Sequence, residues 1–145
     1  ASFELLVKKQ LGLWEPSFNV EFFKTNDDFP ASDGSMQASA IVSLNVKGQT
    51  EITGAVGNGP VNALDIALRR ALCVFYPQIS SMHLSDFKVR VIDMSSTTAA
   101  KIRVLIESTN GDESWTTIGV SNDVIEASFT ALTDSFEYIL SQKGE

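Results

Sequence analysis

The sequence contains very few of the residues that carry out chemistry. Among its 145 residues there is a single cysteine, Cys73, and a single histidine, His83. One cysteine excludes an internal disulfide framework and is typical of cytoplasmic proteins. A metal site would need carboxylates alone, and a nucleophilic Cys73 would have His83 as its sole imidazole base. We therefore expect no catalytic residue, no metal and no cofactor here, with Cys73 packed on a helix and His83 in a loop.

Positive charge and long apolar runs are scarce as well. The chain has 11 Lys and Arg against 18 Asp and Glu, a net charge of −7. Nucleic-acid binders normally carry a basic patch, and the sequence shows none. No apolar run reaches the roughly 18 residues of a membrane span. The N-terminal residues show no signal-peptide pattern. We expect a cytoplasmic chain that binds neither nucleic acid nor a membrane.

The chain does contain an internal repeat within a length typical of one domain. Residues 55–68 align with residues 119–132 at a shift of 64 positions. The matched pairs are Val56 with Val120, Asn58 with Asn122, Ala63 with Ala127, Ala67 with Ala131 and Leu68 with Leu132. Upstream, residues 18–24 are aligned with 87–93 and residues 38–46 with 100–108. This alignment predicts a turn two residues longer in the second repeat.

Each repeat has the pattern of three strands and a helix. Phe18, Val20 and Phe22 alternate with other residues at the period of a strand, and these phenylalanines are assigned to the core. Hairpin turns are predicted at 47–50 and 109–112. Strands are predicted at 84–94, 98–108 and 114–120 in the second repeat. An apolar stripe and Pro60 predict the first helix, with Asp65 on its polar face. Asp123 and Glu126 predict a capping box for the second helix.

These patterns predict an α+β fold: a duplicated βββα unit with amphipathic helices packed on antiparallel sheet. The boundaries are residues 1–15 for an N-terminal segment, 16–76 for the first repeat and 84–142 for the second. Two amphipathic helices cannot cover all the apolar strand surface, so we also expect a homodimer with a largely apolar interface.

The turn between strand and helix in each repeat is the best candidate for a ligand contact. Gly57-Asn58-Gly59-Pro60 is either a cradle of backbone N–H groups for an anion or an ordinary tight turn. It lacks the Lys-Ser/Thr of a P-loop, and its hairpin context is unlike a dinucleotide fold. In the second repeat Asp123 makes the equivalent turn a poorer anion site.

Four stretches resemble one known module: residues 57–63, 84–92, 99–108 and 115–128. The module is the C-terminal regulatory domain of the 2-isopropylmalate synthase and citramalate synthase family, and residues 1–8 resemble its beginning. Residues 115–128 and 132–140 are more similar to the citramalate synthase branch. The resemblance covers nearly the whole chain.

The resemblance implies a non-catalytic domain that dimerises and binds a branched-chain amino acid as feedback inhibitor. Acyl-CoA condensation with a divalent metal is then the work of a separate (β/α)8 barrel, absent from this chain. In the citramalate branch pyruvate condenses with acetyl-CoA on the route to isoleucine, and isoleucine is the expected effector. In the isopropylmalate branch the effector is leucine.

The resemblance also implies a set of effector-binding residues. They are Gly59, Val61, Asn62, Leu84, Phe87, Val91, Thr98, Ala100, Asn122 and Val124. Amides near Gly59 suit the α-carboxylate, an apolar pocket around Leu84 suits the aliphatic side chain, and Asn122 or backbone carbonyls suit the ammonium group. Phe87 stands where some relatives have tyrosine, and Asn62 replaces an acid often found there.

Two alternatives remain open from the sequence. One is a ligand-free dimerisation module, which needs only the apolar faces. The other is a small stand-alone enzyme that uses Asp86 or Glu107 as a base, although no acid–base constellation surrounds them.

Overall fold

The computed structural model describes residues 2–12, 15–28, 37–93 and 101–142. In chain order the elements are α1 (Ser2–Gln10), β1 (Asn19–Asp28), β2 (Gln37–Val46), β3 (Gln49–Gly57), α2 (Pro60–Phe75), a 3-10 helix (Pro77–Ser81), β4 (His83–Asp93), β5 (Lys101–Thr109), β6 (Ser114–Ser121) and α3 (Val124–Gln142). The predicted α+β fold with a repeated βββα unit is confirmed. His83 was expected in a loop, but it is the first residue of β4.

The chain forms two compact units, each containing one repeat. The first unit is Phe18–Ser80, and the second unit combines Ala1–Ser17 with Ser81–Glu145. Each unit has one antiparallel sheet, the first sheet in the order β1-β2-β3 and the second sheet in the order β4-β5-β6. The sequence-based boundaries of the repeats stay a prediction.

Strand pairing aligns the two repeats at a constant shift of 64 residues. Leu44 pairs with Glu51 in the first sheet, and Ser108 pairs with Trp115 in the second. The strand bounds leave residues 47–48 in the first hairpin turn and residues 110–113 in the second, so the predicted two-residue difference in turn length is confirmed. The predicted alignment of residues 38–46 with 100–108 is wrong, because paired positions are related by a shift of 64 and not 62. Alternating apolar residues match themselves again after a slip of two positions, so the pattern alone could not fix this alignment. The alignment of residues 18–24 with 87–93 is also wrong, because Phe23 is the counterpart of Phe87.

The first strand of each sheet carries a β-bulge at the same place, and β4 has a second register shift between Val91 and Asp93. The register shifts between Val20 and Phe22 in β1 and between Leu84 and Asp86 in β4. The extra residue reverses the alternation of side chains beyond it. Phe23 consequently pairs beside the buried Val42, while Phe22 is 45% exposed on the other face. The prediction that Phe22 belongs to the core is wrong for this reason.

The helix of each repeat, α2 or α3, is anchored to its sheet by an equivalent hydrogen bond. The Thr53 hydroxyl donates to the Ala67 carbonyl at 2.7 Å, and the Thr117 hydroxyl donates to the Ala131 carbonyl at 2.7 Å. In the first unit the buried apolar residues of α2 are Ala63, Leu64, Ala67, Leu68, Ala71 and Leu72. This shared anchor fixes where each helix starts relative to the preceding strand, and so positions the turn between them.

The N-terminal helix belongs to the second unit. Leu5 is buried, and α1 lies against α3 and β6. Beyond α1, the Ser17 N–H donates to both carboxylate oxygens of the buried Glu137 on α3, at 2.9 and 3.2 Å. None of the helices in the described ranges is long and apolar enough to cross a membrane.

Candidate functional site

The glycine turn, Gly57–Pro60, leads from β3 into α2 and leaves the helix start without a side-chain cap. Gly59 is the N-cap residue and has extended backbone angles of φ −167° and ψ 174°. It makes no side-chain cap hydrogen bond, and its carbonyl accepts the Ala63 N–H at 3.0 Å. The first amides of a helix have no partner within the helix. The amides of Val61 and Asn62 thus lie at the positive end of α2 with no acceptor from the cap residue.

Asn62 shapes this turn from within the helix. Its side-chain oxygen accepts the Asn58 N–H at 3.1 Å. A Cβ at Gly57 would collide with that oxygen and lie 2.7 Å from the Ala63 nitrogen. Glycine at position 57 therefore permits the close approach of β3 to the start of α2. The Asn62 side-chain oxygen is thus occupied in holding the turn.

The aspartate turn, Ser121–Val124, occupies the same place in the second repeat and is closed by its own carboxylate. An Asp123 side-chain oxygen accepts the Ile125 N–H at 2.8 Å. Asp123 donates its own N–H to the Ser121 hydroxyl at 3.2 Å. The predicted capping box is thus partly wrong, since Ser121 takes the place expected for Glu126. An exposed aspartate at this helix start repels a second anion.

The β4 stripe consists of Leu84, Phe87, Val89 and Val91. Their partners on β5 are Ser108, Ile106, Val104 and Ile102, and the first three of these are buried. The bulge after Leu84 keeps Leu84 and Phe87 on one face although three positions separate them. Leu84 and Phe87 are half-buried, whereas Val89 and Val91 are exposed. An apolar surface therefore extends along one face of β4, and Val89 is a member that the sequence did not single out.

The predicted effector residues fall into three groups. Gly59, Val61 and Asn62 lie together at the start of α2 in the first unit, and Leu84, Phe87 and Val91 share one face of β4 in the second unit. Asn122 is exposed in the aspartate turn, and Val124 is the half-buried first residue of α3. Thr98 and Ala100 lie outside the described residues. Effector binding by these residues stays a prediction.

Asp65 was predicted on the polar face of the first helix, but it is buried. It is only 4% exposed, and an Arg69 guanidinium nitrogen lies 2.9 Å from its carboxylate. Burial raises the pKa of the Asp65 carboxyl, while the nearby Arg69 charge opposes that rise. Burial likewise raises the pKa of the Cys73 thiol, and Arg69 opposes this too. The i, i+4 spacing of Asp65 and Arg69 is the sequence signal for this pair.

The two carboxylates proposed as candidate bases make ordinary surface contacts. Asp86 lies 3.7 Å from the Lys88 ammonium and accepts the Phe87 N–H at 2.9 Å. Glu107 accepts the Ser85 hydroxyl at 2.9 Å. Within the described ranges, no three His, Cys, Asp or Glu side chains come close enough to hold a metal ion. The expected lack of a metal or cofactor stays a prediction.

Comparison with known proteins identifies the family. The profile of the LeuA allosteric (dimerisation) domain matches residues 1–140. The (R)-citramalate synthase of Synechocystis sp. is 49% identical over 141 residues, which is 95% of this chain and 26% of that protein. The (R)-citramalate synthase of Aquifex aeolicus is 46% identical over 145 residues, covering 100% of this chain and 28% of that protein. The 2-isopropylmalate synthase of Aquifex aeolicus is 29% identical over 131 residues, which is 85% of this chain and 24% of that protein.

The chain thus spans about a quarter of the length of these relatives, 24–28% of the three described. The match covers almost every residue of the chain, and the family resemblance inferred from the sequence is confirmed. The chain belongs to the family of LeuA allosteric (dimerisation) domains.

Proposed function

We propose that this chain is the feedback-regulatory domain of a citramalate synthase. It binds isoleucine, forms a homodimer, and thereby inhibits condensation of pyruvate with acetyl-CoA by a catalytic barrel in the same full-length protein, in the cytoplasm. Support for this branch comes from relatives named (R)-citramalate synthase, 39–49% identical to this chain, against 29% for a 2-isopropylmalate synthase.

The difference between the two turns carries the ligand proposal. The glycine turn leaves the amides of Val61 and Asn62 without a side-chain acceptor, whereas the aspartate turn supplies Asp123 to Ile125. An α-carboxylate brought to the glycine turn accepts those amides at the positive end of α2. At the aspartate turn the same carboxylate would meet Asp123. The effector carboxylate is therefore assigned to the glycine turn.

The β4 stripe supports the choice of an aliphatic side chain. Leu84, Phe87 and Val91 present hydrocarbon and no hydrogen-bonding group. Phenylalanine at position 87 offers ring surface without a hydroxyl, so a polar ligand side chain would be left without a partner. Apolar pockets discriminate between aliphatic ligands by shape and volume, and each methylene changes the binding free energy by about 1–3 kcal/mol. Isoleucine and leucine are isomers, so the branch point at Cβ must decide between them.

Calorimetric titration with isoleucine, leucine and valine tests this function. Isoleucine is expected to bind most tightly, with leucine and valine weaker but measurable. Its decarboxylated analogue, 2-methylbutylamine, is the control that lacks the proposed anchor and should show no binding. Tighter binding of leucine would identify a leucine-sensing domain of the 2-isopropylmalate synthase branch. If none of the three amino acids binds at millimolar concentration, the domain is a ligand-free dimerisation module.

A further inference from the structure

One side of the N-terminal helix α1 is an exposed apolar surface. Leu5 is buried against the second unit, but Phe3, Leu6 and Val7 are 76%, 52% and 38% exposed. Leu11 continues the last turn, since its N–H donates to the Val7 carbonyl at 3.0 Å, and it is 65% exposed. Phe3, Leu6, Val7 and Leu11, here called the α1 face, have the i, i+3, i+4, i+8 spacing of one side of a helix. The larger apolar side of α1 therefore points away from the domain to which Leu5 anchors it.

The side of α1 that rests on the second unit combines the buried Leu5 with an ion pair. The Lys9 ammonium lies 3.9 Å from an Asp134 carboxylate oxygen on α3, and 40% and 21% of these side chains are exposed. Partly exposed ion pairs at such a distance contribute little to stability. A helix of nine residues is marginal in water unless packing supports it. A second packing surface on the α1 face would therefore stabilise α1 where it lies.

We propose that the α1 face docks on a part of the full-length protein that lies outside this domain. The inference rests on the proposed function in taking the chain as one domain of a longer synthase. The citramalate synthase of Aquifex aeolicus matches all of this chain with 28% of its own length, so about three quarters of such a protein lies outside the match. The proposed occupant is an apolar surface of that remaining polypeptide.

The size of the α1 face decides between a tethered occupant and a separate molecule. α1 has nine residues, which is about 13 Å of helix. A stable contact between separate proteins takes about 20–30 residues from each side. The α1 face supplies four apolar side chains. A contact this small persists when both surfaces belong to one polypeptide, because tethering raises their effective concentration. A second copy of this chain, or an unrelated protein, lacks that advantage.

Charge makes a lipid surface a poor occupant. Helices that lie on membranes carry many lysines and arginines on the polar side, which face anionic headgroups. α1 has Lys8 and Lys9, and the Lys9 charge lies beside Asp134. The chain as a whole has a net charge of −7, which an anionic membrane repels. A protein surface fits the α1 face better.

Photo-crosslinking in the full-length synthase tests the docking. The photoreactive amino acid p-benzoylphenylalanine is placed at position 6 on the α1 face and, as a matched control, at the exposed position 112 in the second hairpin turn. Position 6 is expected to crosslink to a peptide from outside the 145 residues, identified by mass spectrometry, whereas position 112 is not. A crosslink from position 6 to a peptide of this domain would overturn the inference. Absence of any crosslink from position 6 would overturn it as well.

Hydrogen exchange of the α1 amides in the full-length synthase gives a second readout. Leu6→Gln removes apolar surface but keeps helix propensity. It is expected to speed exchange of these amides about tenfold or more, because a packed leucine is lost. Lys8→Gln, at a half-buried position of α1, should change the rate by less than about threefold. An exchange rate in Leu6→Gln equal to that of the unsubstituted protein would contradict the docking.

Calorimetry with isoleucine on the same protein separates this inference from the proposed function. Isoleucine binding without a crosslink from position 6 would overturn the docking alone. A crosslink to the remaining polypeptide without isoleucine binding would overturn the effector assignment and leave the docking in place.

Discussion

The two repeats differ most where a strand gives way to its helix. Both have the same strand register up to Val91, the same bulge and the same threonine anchor to the helix. The first repeat then starts α2 with Gly59 and no cap, while the second starts α3 with Asp123 bonded to Ile125. Since both turns are stable ways to start a helix, the missing cap is not a requirement of the fold. It is the feature that a ligand would use.

The surface of the two sheets varies independently of the scaffold. Across the bulge, Glu21 and Ser43 in the first sheet correspond to Ser85 and Glu107 in the second, so donor and acceptor exchange strands while the hydrogen bond is retained. The apolar alternation is shared by residues 38–42 of β2 and residues 102–106 of β5, whereas Leu44 corresponds to the buried Ser108, whose hydroxyl hydrogen-bonds to that of Ser135. Positions on the outer face, the side of each sheet away from its helix, have diverged: Asp86, Arg90, Arg103 and Glu107 stand where the first sheet has Phe22, Asn26, Ser39 and Ser43.

The largest predicted effect separates two equivalent positions on the helix-facing side, Gly119 and Ala55. A Cβ at Gly119 would collide with the Ala127 carbonyl oxygen, whereas Ala55 is accommodated in the first unit. Gly119→Ala is therefore expected to lower the free energy of unfolding by about 3 kcal/mol. The reverse change, Ala55→Gly, should cost only about 1 kcal/mol. Urea unfolding measures both, and equal costs would contradict the close approach of β6 to α3.

Converting the glycine turn into an aspartate turn is expected to abolish effector binding. A Cβ at Gly59 has open space around it, and its extended backbone suits any residue. In Gly59→Asp the new carboxylate would cap Val61 as Asp123 caps Ile125. Losing two charge-assisted hydrogen bonds of about 1.5–3 kcal/mol each weakens isoleucine at least about 100-fold.

Two further readouts make the Gly59→Asp experiment specific. Gly59→Ala adds a side chain without an acceptor and should bind isoleucine within a few-fold of the unsubstituted chain. The free energy of unfolding of Gly59→Asp should rise by about a few tenths of a kcal/mol, because a cap is gained. Undiminished binding by Gly59→Asp would remove this turn from the effector site.

The two bulged edge strands provide the next comparison. Leu84 on β4 is the counterpart of Val20 on β1. Leu84→Ala should weaken isoleucine by roughly 2–3 kcal/mol through lost burial, and should narrow its advantage over leucine. Val20→Ala is the control, with no change in affinity expected. Calorimetric titration of both variants with isoleucine and leucine measures the change in affinity. A similar loss of affinity in Leu84→Ala and Val20→Ala would contradict a role of the β4 stripe in binding.

A smaller effect concerns the pH dependence of stability and Asp65, whose counterpart in the second repeat is not an acid. The pKa of Asp65 is raised in the folded chain, so its contribution to stability is fully present below the ordinary value of 3.8 and is lost as the pH rises through the raised value. Asp65→Asn should therefore flatten the decline in unfolding free energy as the pH rises above the ordinary value of 3.8. Asp112→Asn makes the same charge change at an exposed site and should leave the decline unaltered.

Periodicity in the sequence was enough to predict the elements and their order. It could not predict the bulge at Glu21, which shows in no residue type and moved Phe22 out of the core. It also could not fix the alignment of the repeats upstream of the hairpins, because alternation tolerates a slip of two residues. Chemistry at single positions was more informative: Asp123 against Gly59 predicted the unequal turns, although the role of Asn62 in holding its turn depends on a contact with Asn58.

The most direct measurement is a nuclear magnetic resonance titration of the isotope-labelled chain with isoleucine. An anion that accepts a backbone N–H shifts that amide resonance, so the two turns can be compared in one sample. The amides of Val61 and Asn62 are expected to shift, while those of Ile125 and Glu126, their counterparts in the second repeat, stay in place. Shifts at Ile125 and Glu126 with none at Val61 and Asn62 would contradict the assignment of the effector carboxylate to the uncapped turn.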